Sequence, residues 1–236
     1  MRIRVIVPVS VEVWNEPVKK LYESIADSET VLEIVNLKKG PEVIEGHRDH
    51  DLAIPYVIKE VLKAEKNGVD GVIIYCCTFP RESLREVCRI PVISIWEASM
   101  LLATGLGRRF SVLAPTEFCV PLYEHNAQTL GIESKLASVR VVNIPILELV
   151  DTERVKRASI NEGRKAVEED GAHVIMFGCG SMLEVQSDIQ KELGVPVIDC
   201  GGPALKMMET IIKLGLTHSK KSYKTPPEVD MKFIYY

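Results

Sequence analysis

The chain has no Cys-x-x-Cys pair, although it holds six cysteines, at 76, 77, 88, 119, 179 and 200. That removes the usual frame of a structural zinc site. It has no excess of positive charge. Its 29 Lys and Arg face 33 Asp and Glu, for a net charge of −4, so neither nucleic acid nor an anionic membrane is expected as a partner. No apolar run approaches the roughly 18 residues of a membrane span. The run Val5 to Val9 is too short for the core of a secretion signal and reads as a first strand. The Gly-x-x-x-x-Gly-Lys phosphate loop is missing. These absences point to a cytoplasmic protein with reduced thiols.

What is present is an ordinary globular composition with an internal repeat. Hydrophobic residues make up 46% and charged residues 26% of 236, enough for one large domain or two small lobes. RVIVPVS (from Arg4) resembles FSVLAPTE (from Phe110), with Pro8 on Pro115. EIVNL resembles RVVNI, with Asn36 on Asn143. NGVDGVIIYCC resembles DGAHVIMFGCG, with Gly68 on Gly171 and Cys76 on Cys179. IPVISI resembles VPVIDC, with Pro91 on Pro196. Four strands thus recur in order at an offset of about 105 residues, which marks a duplication.

Helical periodicity fills the gaps. Helices are predicted over 18–26, 55–66, 81–89 and 98–104, and over 122–130, 152–170, 182–193 and 204–214. Strands alternating with helices imply parallel sheets. The expected fold class is α/β: two pseudo-symmetric lobes, each a four-stranded parallel sheet flanked by helices. Lobe one takes residues 1–97 and 204–236, lobe two 98–203, with the active site expected in the cleft between them. The last helix is expected to pack back on lobe one. The tail after Ser219 is polar and reads as extended.

The repeat makes Cys179 the symmetry mate of Cys76, each at the carboxyl end of a strand, where open α/β folds keep their chemistry. Two thiols flanking one small ligand suit proton abstraction on one face and proton return on the other. A free thiol has a pKa of about 8.5, lowered by a helix N-terminus. Helices predicted from Arg81 and Met182 would serve this purpose. Thr78, Ser181 and backbone N–H groups at those starts are candidates for holding a developing enolate oxygen. Gly178 and Gly180 let backbone approach a ligand closely. Cys77 lines the pocket or points to the other side of the strand. Cys88, Cys119 and Cys200 read as small semi-buried hydrophobes.

On these residues the chain resembles the hydantoin/allantoin racemase branch of the aspartate/glutamate racemase superfamily, over nearly its whole length. YCCT is similar to the superfamily's ACNT site, which puts its cysteine on Cys76 and its threonine on Thr78. GCGSM is similar to the GCAGM second site, which puts that cysteine on Cys179. VIEGHRDHDLAIPYVIKEVLKAEKNGVDGVIIYCC and LGVPVIDCGGPALKMMETIIKLGLTHSK resemble the branch's corresponding segments. The resemblance implies catalysis by Cys76 and Cys179 without a cofactor or metal, and a homo-oligomer. It places Pro8, Ser10, Cys77, Thr78, Thr116, Gly178, Gly180 and Ser181 at the substrate. The chain departs from the branch at Val7-Pro8-Val9-Ser10, where NPNT or NPNS is usual. It departs again at Cys77 to Arg81, where FGDPG is common, and at Pro115-Thr116, where paired threonines are.

The implied function is racemisation of a 5-substituted hydantoin or related ureide. An α-amino acid comes next, with Arg81, Arg108 or Arg109 on its carboxylate. A maleate-type isomerase and a non-catalytic binding protein follow. A malonate-type decarboxylase, with glycine at the first site, is disfavoured by Cys76. A dinucleotide reading of GCGSML lacks its third glycine, since Leu183 stands there. A metal site at HRDHD (His47, Asp49, His50, Asp51) competes with a capped loop and helix start. Glu45 and Asp49 are weak candidates for ligand contact.

Overall fold

The computed structural model describes residues 1–225 and forms two compact units. The first comprises Met1–Tyr75, Phe79–Ser94 and the chain from Ala204; the second comprises Cys76–Thr78 and Ile95–Pro203. The division falls at Ser94/Ile95 rather than after residue 97, because a helix begins at Ile95 directly from the strand that ends at Ser94.

In the first unit the order is β1 (Arg2–Val7), α1 (Asn15–Ile25), β2 (Val31–Asn36), α2 (His47–Lys66), β3 (Gly71–Ile74), α3 (Glu82–Val87) and β4 (Val92–Ser94). The strands form one parallel sheet, ordered β2-β1-β3-β4. The inner strands are covered on both faces: β3 is apolar and buried throughout, and β1 is buried from Ile3 on, with Arg4 its one charged buried residue. The edge strand β2 is half-buried and carries Glu33, which takes the guanidinium of buried Arg4 at 2.8 Å.

In the second unit α4 (Ile95–Leu106) leads to β5 (Phe110–Ala114), α5 (Val120–Thr129), β6 (Leu136–Val141), α6 (Thr152–Glu168), β7 (Val174–Phe177), α7 (Gln186–Leu193) and β8 (Val197–Ile198). The sheet is again parallel, ordered β6-β5-β7-β8. The four strands therefore repeat in the same spatial order, and Pro8 and Pro115 each follow the first strand of their unit. The final helix, α8 (Gly201–Lys213), packs within the first unit from Ala204 on. Its buried Glu209 accepts hydrogen bonds from the Asp27 N–H (2.8 Å) and the Thr30 hydroxyl (2.6 Å). Met208 lies over Gly71 so closely that a Cβ there would stand 2.4 Å from its sulfur.

Several element boundaries differ from the sequence expectation. Helix α2 begins at His47 rather than Pro55. Asp49 accepts from the N–H groups of Glu45 (3.0 Å) and Gly46 (3.3 Å), which satisfies donors that a helix start leaves open. Pro55 is carried inside the helix. HRDHD is thus helical, and the buried His50 ring meets Phe79 edge-on at 5.4 Å. Burial, then neighbouring His47, brings the His50 pKa down to about 4. Among the described residues no three His, Cys, Asp or Glu gather as metal ligands would. Helices α3 and α7 start at Glu82 and Gln186, not at Arg81 and Met182. The tail is not extended between Thr217 and Thr225: it turns at Ser219–Tyr223 and binds α3 and β4. Tyr223 accepts from Arg85 (3.1 Å), and the Lys220 ammonium donates to the Arg85 carbonyl (2.7 Å). The rest of the expected tail, 226–236, lies outside the described residues.

Candidate active site

The chemistry-bearing residues of the second unit gather where its inner strands β5 and β7 end. Strand β7 ends at Phe177, and the Gly178 N–H still donates to the Leu113 carbonyl (2.8 Å), which holds the first residue of the turn against β5. A Cβ on Gly178 would lie 2.6 Å from the Leu113 oxygen and 2.8 Å from the Tyr123 hydroxyl. The glycine is therefore required by the protein's own packing, and the space its missing side chain leaves is filled by backbone and tyrosine rather than by a ligand.

Cys179 follows, then Gly180 and Ser181. The Cys179 thiol donates to the Ser181 hydroxyl at 3.3 Å, and the Ser181 backbone N–H also faces the sulfur. The Cys76–Thr78 segment repeats this turn, with the Cys76 sulfur 3.5 Å from the Thr78 hydroxyl. In both places the order is cysteine, one residue, hydroxyl. Thr78 and Ser181, expected on a substrate oxygen, thus have their hydroxyls on the sulfurs.

Exposure sorts the six cysteines. Cys76 and Cys179 are partly exposed, while Cys77, Cys88, Cys119 and Cys200 are buried. Between the two orientations left open for Cys77, the structure has the inward one. Its thiol donates to the Phe177 carbonyl (3.9 Å), the same oxygen that receives the Cys200 thiol (2.6 Å). Burial, then the contact with Cys200, pushes the Cys77 thiol well above its ordinary range. Thr116 lies after β5, its hydroxyl 3.6 Å from the buried Cys119 sulfur. Pro8 and Ser10 belong to the first unit, where Ser10 donates from N–H (2.9 Å) and hydroxyl (3.3 Å) to the Pro41 carbonyl.

The electrostatics of Cys179 oppose the sequence expectation. Neither α3 nor α7 begins beside Cys76 or Cys179, so the two helix starts expected to lower these thiols do not adjoin them in the chain. Burial dominates and raises the Cys179 pKa to about 12, with the Ser181 hydrogen bonds pulling the other way and the charges of Cys76 and Cys119 adding to the rise. At neutral pH this thiol holds its proton.

Arg108 and Arg109 are placed at the wrong end for ligand binding. They precede β5, and Phe110 pairs with Val174, so they stand at the amino ends of the strands. Cys179 follows the carboxyl end of β7, about 15 Å or more away at the usual rise per residue. Arg109 donates instead to the Asp170 carbonyl (3.0 Å). Arg81 lies in the first unit, buried and 3.0 Å from Glu82.

Two side chains that sequence reasoning missed stand on α5. Tyr123 donates its hydroxyl to the Gly178 carbonyl, and Asn126 donates to the Cys77 carbonyl at 3.5 Å. The available signal was a Tyr-x-x-Asn pair on one face of a helix that is otherwise apolar where it is buried.

Comparisons with known proteins agree with one another. The family model described as Asp/Glu/Hydantoin racemase matches residues 3–208. A hydantoin racemase of Pseudomonas sp. (strain NS671) is 38% identical over 232 residues, spanning 96% of this chain and 92% of that protein. Two solved allantoin racemases superpose with TM-scores of 0.92. The one from Pseudomonas fluorescens is 32% identical and covers 97% of this chain and 99% of its own; the one from Klebsiella pneumoniae is 30% identical and covers 97% and 95%.

Proposed function

The chain belongs to the Asp/Glu/hydantoin racemase family and is an isomerase of racemase type, and we propose that it inverts a carbon-acid stereocentre with Cys76 and Cys179 as paired base and acid. The substrate we assign is a 5-substituted hydantoin or a related ureide such as allantoin. The observation that carries the mechanism is the selection among six thiols. Cys76 and Cys179 are the two of the six that are not buried residues, and in both the sulfur meets the hydroxyl two residues on. A ring carbon flanked by a carbonyl and a ureido nitrogen is a far stronger carbon acid than the α-carbon of a free amino acid, so it needs less electrostatic help. The position of Arg108 and Arg109 supports the ureide over the amino acid.

In the proposed cycle Cys179 begins as the neutral thiol, consistent with its raised pKa, and Cys76 begins as the thiolate. Cys76 takes the proton from the stereocentre, and its sulfur becomes S–H. The C–H electron pair delocalises into the neighbouring carbonyl as an enolate. Cys179 then gives its proton to the opposite face and is left as the thiolate. The Ser181 N–H and hydroxyl are placed to stabilise that thiolate. The opposite enantiomer is processed with the roles exchanged.

The test is loss of optical rotation of enantiopure 5-substituted hydantoins and allantoin in D2O, with deuterium uptake at the stereocentre followed in parallel. Cys76→Ala and Cys179→Ala are each expected to abolish racemisation, while a single variant still exchanges deuterium on the face its remaining thiol serves. Full racemisation by both single variants would overturn the two-thiol mechanism. Racemisation of amino acids but not of ureides would overturn the substrate assignment.

A further inference from the structure

Both cysteine turns are fastened to one helix. Tyr123 and Asn126 are three residues apart on α5, so they project from the same face about one turn apart. Both are buried, at 1% and 4% exposure. Tyr123 donates to the carbonyl of Gly178, the residue immediately before Cys179. Asn126 donates, at the long end of the range, to the carbonyl of Cys77, the residue immediately after Cys76. No strand ladder runs through these carbonyls, since β3 ends at Ile74 and β7 at Phe177. Side chains must therefore satisfy them, because an unpaired buried carbonyl is costly.

We propose that Tyr123 and Asn126 are positioning residues that fix the two thiol turns against one rigid helix. The proposal rests on the two-cysteine reading above but acts one step behind it, since neither side chain is required to touch substrate. Three features support it. The Tyr123 hydroxyl is buried on the Gly178 carbonyl and feels the charges of Cys76, Cys77, Cys119 and Cys179. The missing Cβ of Gly178 is what lets that hydroxyl approach the turn. The thiols of Cys77 and Cys200 meet on one carbonyl, that of Phe177, adding a second tie between the turns. A proton relay between two faces of one carbon requires both sulfurs to keep their places, and a shift of about 1 Å at a reacting group is enough to cost on the order of a hundredfold in rate.

The test uses Tyr123→Phe and Asn126→Ala, with Tyr22→Phe as a control that removes a buried hydroxyl from the first unit. Two readouts are taken on the whole protein: iodoacetamide alkylation of Cys76 and Cys179 by peptide mapping, and kcat and KM for hydantoin racemisation. Tyr123→Phe is expected to speed Cys179 alkylation about tenfold, as the loosened turn admits water, and to lower kcat about tenfold with KM nearly unchanged. Asn126→Ala is expected to act in the same way on Cys76, while Tyr22→Phe changes neither readout. Alkylation rates within about threefold of the parent for both thiols in both α5 variants would overturn the proposal, whatever the melting temperatures do. So would a kcat loss matched by Tyr22→Phe. If the parent protein racemises no hydantoin, the substrate reading fails on its own, and the alkylation readout still decides the role of α5.

Discussion

A partly exposed cysteine whose sulfur is desolvated enough to hold its pKa near 12 should be slow to alkylate, and the slowness can be worked out. Against an exposed thiol of pKa 9.0, at the upper end of the ordinary range of about 8–9, burial raises Cys179 to about 12. At pH 7 the thiolate fraction then falls from about 1% to about 0.001%, a factor of about 1,000. The more basic thiolate is also a better nucleophile, by about 20-fold over three pKa units at a Brønsted slope of about 0.45. The net expectation is alkylation about 50-fold slower than a free thiol, and slower still for restricted access. The perturbation is Cys76→Ala, which leaves Cys179 as the single partly exposed thiol; the other four are buried. The assay is pseudo-first-order iodoacetamide modification followed by mass spectrometry from pH 7 to 11. The rate should rise about tenfold per pH unit without a plateau. Alkylation at the free-thiol rate at pH 7, or a plateau below pH 9, would refute control by burial. It would also remove the reason for assigning Cys179 the resting proton.

Other outcomes follow from the same geometry. Gly178→Ala drives a Cβ into the Leu113 carbonyl and Ala114 backbone and should cost about 1–3 kcal/mol in denaturant unfolding. Gly71→Ala meets only the flexible end of Met208 at its closest contact and should cost less, so equal losses would contradict the packing described. Cys77 is raised well above its ordinary value, and Cys88 and Cys179 to about 12. The unfolded chain therefore loses these protons first. Stability from these thiols should be complete below about pH 9 and fall as pH rises towards 12, as thermal melts across that window would show; a flat profile would contradict the shifts. Arg109→Ala removes a side chain engaged at the amino end of the sheet and should leave KM within about twofold; a large rise in KM would return it to the site.

The duplication was legible because its strands are. Ile3 to Val7 and Val174 to Phe177 are near-continuous apolar runs, which buried parallel strands require, and Pro8 and Pro115 punctuate both first strands. The thiol turns were legible as positions but not as environments. Helices were expected from Arg81 and Met182; α3 starts one residue later, at Glu82, while α7 starts only at Gln186, and the hydroxyls of Thr78 and Ser181 lie on the sulfurs. The start of α2 was missed because Pro55 reads as a first-turn residue, while the deciding group is Asp49 folding back on Glu45 and Gly46. Tyr123 and Asn126 escaped because their partners are backbone carbonyls distant in sequence, at Gly178 and Cys77.

The two thiol turns match in outline but not in filling: Cys77, anchored inward, stands in one where Gly180 stands in the other. For a pair of enantiomers the overall equilibrium constant is one. The ratio kcat/KM must then be identical in the two directions, whatever the asymmetry of the protein. Any excess of kcat that the stiffer turn gives one enantiomer has to return as an equal excess in its KM. Any effect of the inequality of Cys77 and Gly180 is therefore confined to saturation behaviour: an enantiomer turned over faster must show a KM higher by the same factor.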